Sequence, residues 1–144
     1  MKLKFKTPAK VNLGLHIHGK REDGFHELET IFQMVSLYDE VELEISSSGV
    51  KLECDTPGVP ADNTNLAYKA AFLLKKLYQV QNKGVVIRLK KNIPFGAGLG
   101  GGSSNAAGVL MGLNRLWDLN IEREKLFSLA AELGSDVPFF LTSP

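Results

Sequence analysis

The chain has few extremes, and each shortage rules something out. With one cysteine, Cys54, in 144 residues, no internal disulfide is available. A reducing compartment therefore suits it, and the cytoplasm is the expected location. Cys54 closes the apolar-polar stretch from Val50 and reads as a strand residue, not as a nucleophile. Nowhere do enough apolar residues run together to cross a bilayer, and Met1 to Lys6 alternates Lys with Leu and Phe where a signal peptide would carry an apolar core. Neither sign of charge dominates: 17 Lys and Arg face 16 Asp and Glu. No global field then favours nucleic acid or a membrane surface, and any bound anion must be held locally. His16 and His18 form a His-x-His pair without Cys, Asp or Glu at ligand spacing, so no metal site is expected there. The pair reads as the border of a substrate cleft or as ordinary strand residues. There is no internal repeat, and oligomeric state leaves no trace in the letters.

What remains is a globular composition, 44% hydrophobic and 23% charged, of a length at which one domain buries its own core. Leu3 and Phe5, then Val11, Leu13, Leu15 and Ile17, recur at every second position, which predicts two short strands broken at Thr7-Pro8. A turn-rich stretch, Gly19 to Gly24, precedes a bent strand over Phe25 to Leu37. Val41, Leu43 and Ile45 alternate with Glu40, Glu42 and Glu44, a strand with one wet face. After a turn at Ser46 to Gly49, Val50 to Cys54 is expected to pair back as a hairpin.

Asp55 to Asn65 is rich in Pro, Gly, Asp and Asn and punctuates the chain. A helix follows from Leu66, with Ala70, Leu73, Leu74 and Leu77 at helical spacing and Asp62 or Asn63 as cap. Val85 to Leu89 is a β-branched strand. Further helices are expected over Ser103 to Trp117 and, capped by Asn120, over Ile121 to Leu133 with Gly134 just beyond. Trp117 is expected in the core, and Lys75-Lys76 and Lys90-Lys91 on solvated faces. Strands early and helices late predict an α+β domain with helices on one face of a largely antiparallel sheet.

The most informative stretch is Pro94-Phe95-Gly96-Ala97-Gly98-Leu99-Gly100-Gly101-Gly102-Ser103-Ser104-Asn105. Five glycines in seven positions permit positive φ, so that successive N–H groups converge on one anion. The helix that follows adds unpaired donors and the positive end of its dipole. Ser103 and Ser104 supply hydroxyls for phosphate oxygens or a bound Mg²⁺. A flexible glycine linker would not run straight into a firm helix such as Ala106 to Trp117. The Walker pattern is excluded because no lysine follows the last glycine. Gly96, Gly98 and Gly101, with Asp118 about twenty residues on, formally match the dinucleotide fingerprint. That fold needs the glycines directly after a first strand and the acid at the end of a second, and neither context is met.

Pro94 to Ser104 is similar throughout to the ATP-binding loop of the GHMP kinases. The opening Pro8-Ala9-Lys10-Val11-Asn12-Leu13-Gly14-Leu15, followed by Asp23-Gly24-Phe25-His26-Glu27, resembles the diphosphocytidyl-methylerythritol kinases within that superfamily. Gly134-Ser135-Asp136-Val137-Pro138-Phe139-Phe140 resembles their catalytic-aspartate segment. The motifs stand in the family's order and span almost the whole chain.

The resemblance implies an ATP- and Mg²⁺-dependent kinase acting on the 2-hydroxyl of 4-diphosphocytidyl-2-C-methyl-D-erythritol, a small-molecule substrate, in the non-mevalonate route to isoprenoid precursors. Lys10 and Asp136 match the catalytic pair: the carboxylate would take the hydroxyl proton, while the lysine would keep it ionised and stabilise developing charge. Asn12, two residues along the same strand face, would orient the substrate. ATP would lie against Pro94, Phe95, Gly96, Ala97, Gly98, Leu99, Gly100, Gly101, Gly102, Ser103 and Ser104, with Asn65 beside the nucleotide; Asn65 also suits a helix start. Phe25 and His26 would hold the cytosine, Phe25 standing where the family usually has tyrosine and keeping the stacking contact. As an ordinary core residue, Phe25 has a structural explanation as well. Family members continue into a second domain that completes the cleft. Residues 1–144 are thus expected to form the amino-terminal ATP-binding and catalytic domain, with weak nucleotide binding and poor turnover alone. Two alternatives stay open: a GHMP kinase with mevalonate, homoserine or a sugar as acceptor, and a nucleotide-binding module without catalysis.

Overall fold

The computed structural model describes the backbone of residues 1–20 and 26–142 and the side chains of residues 1–13 and 31–142. Strands β1 (Lys2–Lys20), β2 (His26–Ser46), β3 (Val50–Glu53) and β4 (Gly84–Lys90) form one sheet in the order β1-β2-β4-β3. Helices α1 (Leu66–Leu77), α2 (Gly101–Leu116), α3 (Arg123–Leu133) and the single turn α4 (Val137–Phe140) complete the α+β domain. Among the described residues no helix is long and apolar enough to cross a membrane.

The sheet is built in cross-strand rows. Phe5 faces Val41, which faces Leu89; Leu3 faces Leu43, then Ile87, then Leu52. These rows point at the helices. Leu43 and Ile87 are fully buried beside Ala106, Leu110 and Leu113 of α2. The next positions along each strand must face the other way, and there Lys4, Glu42, Arg88 and Glu53 make a charged row open to water. Arg88 donates to Glu42 and Glu44 at 2.8 Å and to Glu53 at 2.9 Å. That hydrogen bond holds the Glu44 carboxyl below its usual range. Such exposed pairs add little stability each, but they mark the face that no helix covers.

Two of the three strand pairings are antiparallel, β1 with β2 and β2 with β4. The third corrects the expected hairpin: β3 pairs in parallel with β4, which lies between it and β2. A turn at Ser46 to Gly49 does connect the two strands, but a strand made thirty residues later slides between them, and local turn chemistry carries no sign of it. Gly84 is the residue that allows it. A Cβ there would lie 2.3 Å from the Gly49 carbonyl oxygen, and the Val85 N–H donates to that same oxygen at 3.0 Å. The predicted break at Thr7-Pro8 is a bulge within one long strand, because register shifts between Pro8 and Ala9 while Tyr38 and Val35 remain the partners. The pairing lost to proline costs one ladder bond and not the strand.

Helix boundaries differ by a few residues. The cap of α1 is Asn65, not Asp62 or Asn63: its Oδ1 accepts from the Ala67 N–H at 2.9 Å. Asp62 instead accepts from Thr64 and closes the preceding turn. α2 opens at Gly101, two residues early, and α3 opens at Arg123, two residues late. Asn120 does not cap α3; it takes a left-handed φ of 55°, and Asn114 bonds both backbone groups of Ile121 in its place. Cys54 lies just past β3 and is half-buried. Trp117 is buried as expected. Lys75 is not free on the surface: its ammonium donates to the carbonyls of Val80 and Lys83.

Gly84→Ala is expected to destabilise the domain by about 2 kcal/mol or more, since main-chain atoms fill the space of the new methyl. Urea denaturation measures it; unchanged stability would contradict the strand order.

Candidate active site

The glycine loop joins β4 to α2 and has two sides. Gly96, Gly98 and Gly100 take φ values of 75°, 74° and 73°, so every second residue is left-handed. A Cβ at Gly96, Gly98 or Gly102 would meet nothing within 4 Å, whereas one at Gly100 would lie 2.9 Å from Phe140 Cζ and 3.0 Å from Lys10 Cγ. The loop is seated at Gly100 and open along the rest. Alternating left-handed residues can aim successive backbone N–H groups to one side, and a Cβ at Gly96, Gly98 or Gly102 would stand in uncrowded space on the approach to α2.

One backbone bond fixes the loop to the sheet: the Lys10 N–H donates to the Leu99 carbonyl at 2.8 Å. The same residue sends its ammonium toward the site. Lys10 is 4% exposed; its Nζ donates to Asn12 Oδ1 at 3.0 Å and lies 4.8 Å from the Phe32 ring centre. Asn12 and Phe32 are cross-strand partners, which puts lysine, amide and ring on one face. Among the described residues this ammonium meets no carboxylate. A cation removed from water without an anion is costly, so the position favours an incoming negative group.

Phe32 packs edge-on against Phe139, and Phe139 against Phe140, with ring centres 5.3 and 5.2 Å apart. This aromatic chain ties α4 to β2 and to the loop. Asp136 is the N-cap of α4, half-buried, and its side chain makes no capping bond. The three motifs therefore meet: Lys10 and Phe140 close on Gly100, and Asp136 begins the turn that carries Phe140. Among the described residues the expected catalytic pair makes no direct ion pair: the Lys10 ammonium donates to Asn12 and the Asp136 side chain makes no capping bond.

Ser104 lies in the first turn of α2, 1% exposed, and its Oγ has no partner among the described residues. Ser103 is half-buried beside it. Phe95 stands out from the loop, 64% exposed, with its Cδ1 4.0 Å from where a Cβ of Gly58 would be. The ring thus faces the turn that leads into α1. Asn65, in that same segment, is committed to structure, its Oδ1 bonding Ala67 and its Nδ2 donating to the Pro60 carbonyl. Phe25 and the side chains of His26, His16 and His18 lie outside the described residues. Among the described residues no three His, Cys, Asp or Glu side chains converge as a metal site would require.

The root of the loop carries a buried charge pair that no motif marks. Lys91, expected on a solvated face, has its side chain shielded from water and donates to Asp39 Oδ2 at 2.5 Å and to Asn105 Oδ1 at 2.8 Å. A signal was present. Asp39 shares strand parity with Val41 and Leu43, and Lys91 with Ile87 and Leu89, so period two sends both charges to the covered face. Lys90 and Glu40, of the other parity, pair on the open face at 3.5 Å.

The GHMP kinases N terminal domain family matches residues 65–143. A 4-diphosphocytidyl-2-C-methyl-D-erythritol kinase of Prochlorococcus marinus is 53% identical over 97% of this chain and 45% of its own length. One of Acetivibrio thermocellus is 45% identical over 95% of this chain and 48% of its own. A crystal structure of a 4-(cytidine 5'-diphospho)-2C-methyl-D-erythritol kinase superposes with a TM-score of 0.78 at 47% identity, covering 96% of this chain and 48% of that one. The chain spans about half the length of the curated relatives it matches.

Both Gly98→Ala and Gly100→Ala place a side chain at positive φ, which costs about 1–2 kcal/mol. Gly100→Ala is expected to cost at least about 1 kcal/mol more, from crowding against Phe140 and Lys10. Thermal or urea unfolding of the two variants decides it, and equal losses would contradict the seating of the loop at Gly100.

Proposed function

Because the chain belongs to the GHMP kinases, we propose that it holds ATP in the Gly96 to Ser104 loop and directs phosphoryl transfer to the 2-hydroxyl of 4-diphosphocytidyl-2-C-methyl-D-erythritol. That reaction belongs to the non-mevalonate route to isoprenoid precursors. Residues 1–144 serve in this reading as the amino-terminal ATP-binding and catalytic domain. The observation that carries it is the loop itself, with three left-handed glycines, open space over Gly96 and Gly98, and a seat on Lys10 and Phe140. The likeness to relatives named for this acceptor supports the choice among GHMP acceptors.

The roles follow from position. Backbone N–H groups of Gly96 to Gly102 and the first turn of α2 surround the phosphates, and the buried Ser104 hydroxyl, lacking a partner among the described residues, suits a phosphate oxygen or Mg²⁺. Mg²⁺, when bound with the nucleotide, neutralises charge between the phosphates. Lys10 offers its ammonium to the transferred group, and the Asn12 amide keeps that ammonium in place. Asp136, with a carboxylate free of any capping bond, accepts the proton of the acceptor hydroxyl. Phosphoryl transfer asks little covalent chemistry of a protein, so positioning and charge account for most of the rate. Phe95 offers an exposed ring to the nucleobase. Asn65 acts from the cap of α1, and Phe25 and His26 remain the cytosine-binding residues of the reading.

Calorimetric titration with a non-hydrolysable ATP analogue should give saturable 1:1 binding. Asp136→Asn should leave that binding unchanged while phosphoryl transfer to the cytidine-containing acceptor falls roughly a hundredfold or more, as removal of a general base requires. Transfer to mevalonate, homoserine or a sugar instead would replace the acceptor. Undiminished transfer in Asp136→Asn would remove the proposed base.

A further inference from the structure

The loop's root holds a carboxylate with more hydrogen bonds than a structural ion pair needs. Asp39 is fully buried. Its Oδ1 accepts from the backbone N–H groups of Asn92 at 2.7 Å and Ile93 at 2.8 Å. Its Oδ2 accepts from Lys91 Nζ at 2.5 Å and from Asn105 Nδ2 at 3.0 Å. Asn105 also donates to Thr7 Oγ1 at 2.8 Å, which joins β1 to the first turn of α2. A Cβ on Gly101 would lie 3.1 Å from Lys91 Nζ, so the ammonium packs directly beneath the opening of that helix. One carboxylate thus grips the residues where the loop leaves β4 and, through Asn105, the helix into which it runs.

This geometry does two things that a core contact would not. It fixes the distance between the loop's two ends, so the glycines between them have little slack despite their freedom. It also keeps Lys91 away from the phosphate cradle, because two acceptors already hold its ammonium. We propose that Asp39 is a positioning residue for the nucleotide loop, acting through Asn92, Ile93 and Asn105 on the placement of the Leu99–Gly100 segment that rests on Lys10. The consequence for nucleotide affinity rests on the kinase reading above; the consequence for the loop does not.

Hydrogen exchange tests it, because two reporter amides lie outside Asp39's reach. The Lys10 N–H donates to Leu99 and the Ser104 N–H to Gly100, and Asp39 bonds neither residue. In Asp39→Asn, exchange at Asn92, Ile93, Lys10 and Ser104 should rise roughly ten- to a hundredfold, as replacing a charged acceptor by a neutral one and losing the Oδ2 acceptor of Lys91 and Asn105 implies. Exchange at Val85 and Ile87 in β4 should not change. Thr7→Val, which removes only the acceptor for Asn105, should raise exchange at the same four amides by a few-fold and covers the case in which Asp39→Asn does not fold. Faster exchange confined to Asn92 and Ile93, or a uniform rise including Val85, would overturn the proposal. ATP-analogue titration of the unmodified protein separates the two ideas. Absence of binding with the expected exchange pattern defeats the kinase reading alone, and binding unchanged in an Asp39→Asn whose exchange is also unchanged defeats the positioning role alone.

Discussion

Gly100 is the point at which three distant parts of the chain touch, and the space there admits no side chain. Lys10 from β1 and Phe140 from α4 close on it from two sides, and the Leu99 carbonyl next to it accepts the Lys10 N–H. A loop of five glycines has every entropic reason to wander. Its rest position comes from contacts made by β1 and α4. The apolar rows Phe5–Val41–Leu89 and Leu3–Leu43–Ile87 place β1 under α2, and the aromatic chain Phe32–Phe139–Phe140 brings α4 up to the same end. The loop is therefore anchored at its Gly100 seat, and a segment fixed beforehand costs less to order when it binds.

Charge is handled in two different ways on the two faces of the sheet. On the open face Lys2, Lys4 and Arg88 interleave with Glu42, Glu44 and Glu53 in contact with water, where each pair contributes little and solubility is the gain. On the covered face, among the described residues, Lys91 and Asp39 pair out of water and every acceptor position of the carboxylate is filled. Removing one partner from such a pair costs far more than it adds when intact. Its presence beneath the glycine loop, and not in the middle of the core, ties that cost to the site.

Much of this was legible beforehand. Alternating hydrophobicity located β1 and the Val41–Ile45 part of β2, β-branched residues located β4, and the glycine loop announced the helix that follows it; the expected roles of Lys10 and Asp136 came from resemblance alone. What stayed hidden was non-local. β4 enters between β2 and β3 because Gly84 lets the Ser48–Gly49 turn cross it, and no turn signal at Ser46 to Gly49 encodes an event thirty residues later. Asn65 took over the cap of α1 because its amide also reaches the Pro60 carbonyl, a contact that exists only once the preceding loop has folded. Lys91, expected with Lys90 on a solvated face, and Asp39, which carries no motif, share parity with Leu89 and Val41 and so point inward. Parity extended one alternate position, two residues, past each apolar run reaches the pair.

The central claim is that the open side of the glycine loop is where the phosphates of a nucleotide lie. Backbone amide chemical shifts followed during addition of a non-hydrolysable ATP analogue measure this most directly. The largest changes are predicted at Gly96, Gly98, Gly102 and Ser104, with Lys10 moving alongside them and the row of Lys4, Glu42 and Arg88 on the far face unmoved. Shifts centred on that charged row, or a glycine loop that does not respond at saturation, would contradict the account.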